Sequence, residues 1–454
     1  MFYINKMLDK KVFIVILVGI LISISFSFYN TKKFDIIDSE NQSPMVKGDL
    51  LHIWKEAESF KNDIKNNKNI LSAGIEYTRT YLPSKLLAIY SIITDKKLFY
   101  DFDKLIVSKG GKIQYLILQI ILYYSCVFYF YKKYREFFNS EKKSLIILLI
   151  LAFEPTINQW HSSFWTESVF ISLQIFFLGM IMSNSRSNIF YFFIGVLLGI
   201  LFLQKTIALF LIFPFLIFIF ISKFEKKLIK ATASLLGLFI VLFYLGYSNY
   251  LKTGIFYIMP LQAKYAHYSY MVPMIYEKSN NEVEKMNAFV NQEKKWMEEQ
   301  NINLELFGDK YKFVNYQKQK SIEVMKDNII VTLYIYIKNT IHHFLLNPVQ
   351  VYYWHKYNQI EFSSIEYHVS KDKDKWLVPR IIYSSIVYLI ILAGFINIII
   401  KKEKIYFYLF ILICVIYYST MLGWMGNTRY FMPSFALLPL FITEGLALLF
   451  KVEN

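Results

Sequence analysis

The residues able to do chemistry in this chain are a small set of acids and cations at the ends of hydrophobic runs. Asp49, in VKGDLLHIW, is a carboxylate that can act as a general base, because transfer to a hydroxyl needs a base within hydrogen-bonding reach of the attacking oxygen. The same residue type also fits a helix cap. Glu76 and Arg79, in GIEYTRTYLPSK, are three apart and can meet on a helical turn. Arg79 can instead grip a phosphate, whose oxygens match the guanidinium fork, with Lys85 as a second cation nearby.

AFEPTINQWHSSFWTESVF is the most informative short segment. Glu154 precedes Pro155 at the end of an apolar run, and Glu167 opens the next run. Carboxylates at membrane depth are costly unless paired or functional. Trp160 and Trp165 suit an interfacial belt or a stacking surface for a sugar ring, and His161 suits a cavity wall or a phosphate contact. Lys205, in LFLQKTIALFLIFP, marks a turn or supplies positive potential to a phosphate leaving group. Arg429, followed by Tyr430 in GWMGNTRYFMPSF, has the composition of a phosphate clamp at the top of a bundle helix, with Tyr430 lining the same site. Ligand spacing gives no support for a metal site, and no cofactor is expected. The late histidines, His342, His343, His355 and His368, sit in aromatic-rich sequence and are expected to be structural.

The elements that must position these groups are membrane helices. The chain of 454 residues is 55% hydrophobic and 19% aromatic, with mean hydropathy +0.35. An ordinary soluble domain is excluded. The formal charge of +16 would suggest nucleic acid in a soluble protein. Here the lysines gather at segment ends, so anionic membrane lipids are the expected partners and nucleic acid is not. Cys126 and Cys414 lie inside apolar runs and read as small core residues. The N-terminal stretch reads as a retained first helix, since it lacks a small-residue cleavage site and further spans follow.

The fold class expected is an all-α polytopic membrane protein with about ten spans, near 12–30, 113–130, 144–158, 163–182, 189–203, 206–222, 231–248, 380–399, 405–421 and 430–449. Lys6, Lys10, Lys11, YKKYREFFNSEKK, SNSRSN, KFEKKLIK, KKEK and Lys451 all fall on one side of that count. The positive-inside rule makes that side the cytoplasm, with both termini inside. The acids and cations named above then share the outer face. The chain divides into an N-terminal transmembrane module at 1–250 with its outer loop at 31–112, a large outer loop at 251–378 and C-terminal transmembrane helices at 379–454. Amphipathic helices are expected in both outer loops, at LLHIWKEAESFKNDI and PSKLLAIYSII in the first. In the second, 281–327 is polar and helical in pattern, and 328–348 reads as an interfacial or bundle-packed helix rather than a further crossing.

In order and layout the chain resembles the GT-C class of integral-membrane glycosyltransferases, near bacterial aminoarabinose transferases and protein mannosyltransferases. The likeness is carried by the loop opening with Asp49, by YTRTYLPSK, by the Pro-then-Thr-Glu segment ending in WHSSFWTE, and by NTRYFMP. It departs where relatives carry Arg-Pro or Arg-Lys and this chain has QKT, and in the lone acid at Asp49. The resemblance implies a GT-C-like helical bundle in a bacterial inner membrane, with its active site on the periplasmic or extracellular side. It implies Asp49 with Glu154 or Glu167 as catalytic acids, and Arg79, Lys205 and Arg429 on the donor phosphate. The donor would be an undecaprenyl-phosphate-linked sugar, and the acceptor a hydroxyl of a glycan or lipid.

Two other readings predict different sites. A polysaccharide polymerase or ligase of the O-antigen type needs arginines and a histidine in the late outer loop, which here is lysine-rich. A transporter or lipid flippase needs charges buried mid-span and two-half symmetry. The span interiors read as nearly free of charge.

Overall fold

The computed structural model describes residues 2–34, 49–74, 81–94, 109–161, 166–183, 187–222, 224–278, 282–345, 377–421 and 432–452. Among them all regular structure is helical. Long apolar runs give α1 (Phe2–Phe34), α4 (Lys109–Phe138) and α10 (Lys227–Thr253). Shorter ones give α5 (Glu141–Phe153), α6 (Pro155–Trp160), α7 (Thr166–Ile181), α8 (Asn188–Gln204), a 3-10 turn η1 (Thr206–Leu211) and α9 (Ile212–Ile221). Toward the C-terminus lie α15 (Leu377–Lys401), α16 (Ile405–Met421), α17 (Met432–Phe435) and α18 (Leu438–Leu449). Each of the ten expected spans carries helix. Gln114–Phe138, Lys227–Thr253 and Ile382–Lys401 are each long and apolar enough to cross a membrane unaided. The protein is a multi-pass membrane protein.

Close helix contact comes from glycine. A Cβ at Gly195 of α8 would overlap the Ser234 carbonyl of α10, and one at Gly237 would overlap the Phe192 carbonyl. Gly394 and Gly445 bring α15 and α18 together in the same way. Small residues let membrane helices approach where no hydrophobic drive between them exists.

The break between α5 and α6 is written in the sequence as Glu154-Pro155. Proline has no N–H and ends the ladder, which leaves carbonyls without helical partners in an apolar bundle. Side chains supply donors: Tyr123 to Leu151 O at 2.7 Å, and Tyr124 and Asn158 Nδ2 to Ala152 O at 3.0 Å each. Asn158 Nδ2 also reaches Glu154 O at 3.0 Å, which accepts from the Asn158 amide as well. Ser23 of α1 closes the cluster by donating to Asn158 Oδ1.

The opposite end of α5 holds a buried charge network. Lys143 Nζ lies 2.9 Å from Glu444 Oε1 and 3.1 Å from Oε2. Asn397 Nδ2 donates to Glu444 Oε2 at 2.7 Å, Tyr408 OH donates to Oε1 at 2.8 Å, and Glu403 lies 3.7 Å from Lys143. Four helices, α5, α15, α16 and α18, meet there. Glu444 corrects the expectation that the spans are nearly charge-free; the carboxylate is tolerated because four donor contacts surround it.

In the first loop, α2 (Asp49–Lys65) and α3 (Tyr81–Thr94) pack together, and α3 rests on the end of α8. The late segment forms α11 (Leu261–Glu277), α12 (Glu282–Glu299), α13 (Phe307–Asp327) and α14 (Ile329–Leu345). The polar stretch 281–327 is two helices, broken at Asn301, whose φ of 50° is left-handed.

Candidate functional site

Glu167 and Lys205, 38 residues apart, meet at the end of the bundle away from Lys143. Lys205 Nζ lies 3.0 Å from Glu167 Oε1. Their positions follow from local breaks. Lys205 is the extended residue between α8 and η1, with φ −153° and ψ 117°. Glu167 sits in the first turn of α7, where a carboxylate is favoured by the helix N-terminus. Thr166 Oγ1 donates to Glu167 Oε2 at 3.3 Å, and Gln204 Nε2 donates to Thr166 O at 3.0 Å. The Lys205 ammonium also lies 5.9 Å from the Phe170 ring centre, and Phe170 meets the edge of Tyr418 at the end of α16. Tyr417 donates to the Ile207 carbonyl. The last turns of α16 thus lie beside this pair.

Glu154 differs from Glu167 in access. It is half-buried, while Glu167 is 1% exposed. Glu154 Oε2 accepts from the Ile157 amide at 2.7 Å. Its carboxylate heads a mostly apolar cleft lined by Tyr383, Ser384 and Tyr388 of α15 and by Phe435, Leu438 and Ile442 of α17 and α18. His161 is wholly buried against the Tyr123 ring, with centroids 4.3 Å apart and Nδ1 2.8 Å from Ser168 Oγ. Among the described residues its Nε2 has no hydrogen-bond partner. Trp160 is buried.

Lys85 lies in a separate pocket of the first loop. Its ammonium sits 3.1 Å from the Phe60 ring centre and donates to Ala73 O at 3.3 Å. Burial pushes its pKa down to about 6, and Lys252 adds to the fall, while Glu56 and Asp63 oppose it. Asp49 is the first residue of α2; its side chain lies outside the described residues, as do Glu76, Arg79, Trp165, Arg429 and Tyr430. Among the described residues no three His, Cys, Asp or Glu side chains gather as a metal site.

Sequence reasoning missed Lys252, Asn158, Gln204 and the Lys143–Glu444 network. For Glu444 the signal was present: a carboxylate inside a span. For Asn158 and Gln204 there was none, since lone amides beside a turn are commonplace.

Residues 104–247 match the family model of dolichyl-phosphate-mannose-protein mannosyltransferase. That stretch contains Glu154, His161, Glu167 and Lys205, and ends before Lys252. The fold is similar to the Archaeoglobus fulgidus oligosaccharyltransferase in its complex with Zn and sulfate, at 13% identity and TM-score 0.51, over 96% of this chain and 49% of that one. It is also similar to the archaeal oligosaccharyltransferase AglB from the same organism, in complex with an inhibitory peptide and a dolichol-phosphate. That likeness has 12% identity and TM-score 0.53, over 98% of this chain and 51% of that one. The chain thus spans about half the length of these structures. No curated protein matches it in sequence.

Proposed function

We propose that this chain is a GT-C-class glycosyltransferase, a reading supported by the family match over residues 104–247 and the likeness of fold, and that it moves a sugar from a polyprenyl-phosphate carrier to an acceptor hydroxyl of a cell-envelope glycan or lipid. The observation that carries the proposal is the Glu167–Lys205 pair inside the family-matched stretch. It fixes a cation beside Phe170, which meets Tyr418 near the end of α16. The carrier is an undecaprenyl phosphate, the membrane a bacterial cell membrane, and the site faces outward, with the lysine-rich turns and both termini in the cytoplasm.

The reaction is a displacement at the anomeric carbon. The acceptor oxygen forms a bond to that carbon as the bond to the phosphate oxygen breaks, and polyprenyl phosphate leaves. The acceptor proton passes to a carboxylate, Asp49 or the accessible Glu154. Lys205, Arg79 and Arg429 stabilise the departing phosphate. Glu167, buried and paired, positions Lys205 rather than taking the proton. Glu76, Trp160, His161, Trp165 and Tyr430 shape the surroundings.

The test is sugar transfer in proteoliposomes from a synthetic polyprenyl-phosphate sugar to the extracted envelope glycolipid and glycan fractions. Asp49→Asn or Glu154→Gln is expected to lower the rate at least a hundredfold. Rates near wild type in both variants would overturn the assignment of the base. Absence of transfer from any polyprenyl-phosphate sugar by the wild-type chain would overturn the activity.

A further inference from the structure

We infer that α14 is a membrane-docking helix, lying in the plane of the lipid interface and seating the polar lobe of α11, α12 and α13 on the bilayer surface. The helix has two unlike faces. Thr332, Ile335 and Asn339 are buried on one side. They pack toward α11 and α13, with Thr332 Oγ1 donating to Met325 O at 3.1 Å and Asn339 Nδ2 lying 3.7 Å from Met274 Sδ. On the other side Ile330 is 80% exposed, Leu333 52%, Tyr334 56%, Ile337 56% and Ile341 50%. At 100° per residue these five positions fall within one stripe. No charged residue interrupts it.

The occupant is lipid because of where the helix sits. Tyr336 donates to the Thr420 carbonyl, in the last turn of α16. This contact fixes α14 to the end of a membrane-spanning helix, where hydrocarbon gives way to headgroups. The stripe therefore continues a surface already in contact with the bilayer. Crossing the membrane is disfavoured by what covers the back of the helix. α11 and α12 carry a Tyr268–Glu293 hydrogen bond of 2.7 Å, and α12 and α13 are studded with exposed lysines and glutamates. Such a lobe cannot enter hydrocarbon. An apolar stripe backed by a polar body is the form of a helix that lies on a membrane. Lys338, at the edge of the stripe by helical position, is long enough to reach headgroup phosphates.

The test uses the full chain in vesicles of phosphatidylethanolamine and phosphatidylglycerol. Ile330→Cys, Ile337→Cys, Ile341→Cys and, as a control on the exposed polar surface, Lys326→Cys are labelled with a small fluorophore. The native cysteines are buried, and the unsubstituted chain gives their background labelling. Spin-labelled lipids are expected to quench the three stripe positions at least threefold more than position 326, with aqueous iodide giving the reverse order. Shallow and deep spin labels should rank positions 330 and 341 alike, although about 16 Å of helix separates them. Iodide quenching at 337 equal to that at 326 would overturn the proposal. So would protection of the stripe from both quenchers, which would signal a second copy or another protein. Unequal depths at 330 and 341 would also overturn it, in favour of a crossing. None of these readouts depends on sugar transfer.

Discussion

At the residue scale, the Glu167–Lys205 pair separates structural from chemical roles. Both side chains are buried, and removal of either takes from the other its charge partner at 3.0 Å. Glu167→Gln and Lys205→Met are each expected to lower stability by about 3–5 kcal/mol, and the double variant to recover most of that loss. Thermal unfolding in detergent measures this. If Lys205 also touches the donor, the double variant regains stability but not transfer. Recovery of both would show a purely structural pair. Lys85 supplies a pH dependence. Its pKa is about 6 in the folded chain, against an ordinary value of 10.5. Between these values the folded state binds fewer protons than the unfolded state, so stability rises with pH across that window and is flat below it. Lys85→Met should lose this slope in melting curves taken from pH 6 to pH 10. An unchanged slope would show that Lys85 is charged in the fold.

At the element scale, the decisive feature is the interrupted helix at Glu154-Pro155. Pro155 removes a donor, and Asn158, Tyr123 and Tyr124 replace it from the side. Asn158→Leu removes the side-chain donor to Ala152 O and Glu154 O and the acceptor of Ser23, while Tyr124 OH still reaches Ala152 O and the residue-158 amide still reaches Glu154 O. The expected cost is about 1–3 kcal/mol for the lost buried hydrogen bonds, with a fall in transfer as Glu154 shifts. Full activity in a destabilised Asn158→Leu protein would separate the turn from the chemistry. The glycine contacts are a second property of this scale. Gly237→Leu and Gly445→Leu drive side chains into backbone carbonyls of the facing helix. A loss of about 1–3 kcal/mol or more is expected for each, and unchanged melting would show that the helices separate freely.

At the scale of the whole molecule, the two ends of the bundle are specialised. One end joins α5, α15, α16 and α18 through Lys143 and Glu444. The other end holds Glu154, Glu167 and Lys205. The Lys143–Glu444 network anchors the C-terminal helices to α5. Glu444→Leu alone should be strongly destabilising, by about 3–5 kcal/mol, whereas Lys143→Met with Glu444→Leu should approach wild type. A double variant as unstable as the single one would mean that the cost comes from Tyr408 and Asn397 losing the carboxylate they donate to, and not from the charge of Lys143.

The sequence by itself determined the helical class, the positions of the apolar helices and the break at Glu154-Pro155. These are set by local properties: runs of apolar residues long enough for a bilayer, lysines at run ends, and a proline after Glu154. It also carried enough of the order of motifs for the GT-C likeness to be visible. Only the tertiary structure decided which polar groups share a site. Glu167 finds Lys205 across 38 positions, and Lys143 finds Glu444 across 301, because helix packing sets those distances and spacing along the chain does not. The acids and cations grouped together in the sequence therefore divide in the fold. Glu167 and Lys205 form a buried pair, Glu154 heads an open cleft, and Lys85, read alongside them, occupies a pocket of its own beside Phe60. Burial made that division, since it fixes which charges must be paired and which are left facing a cleft.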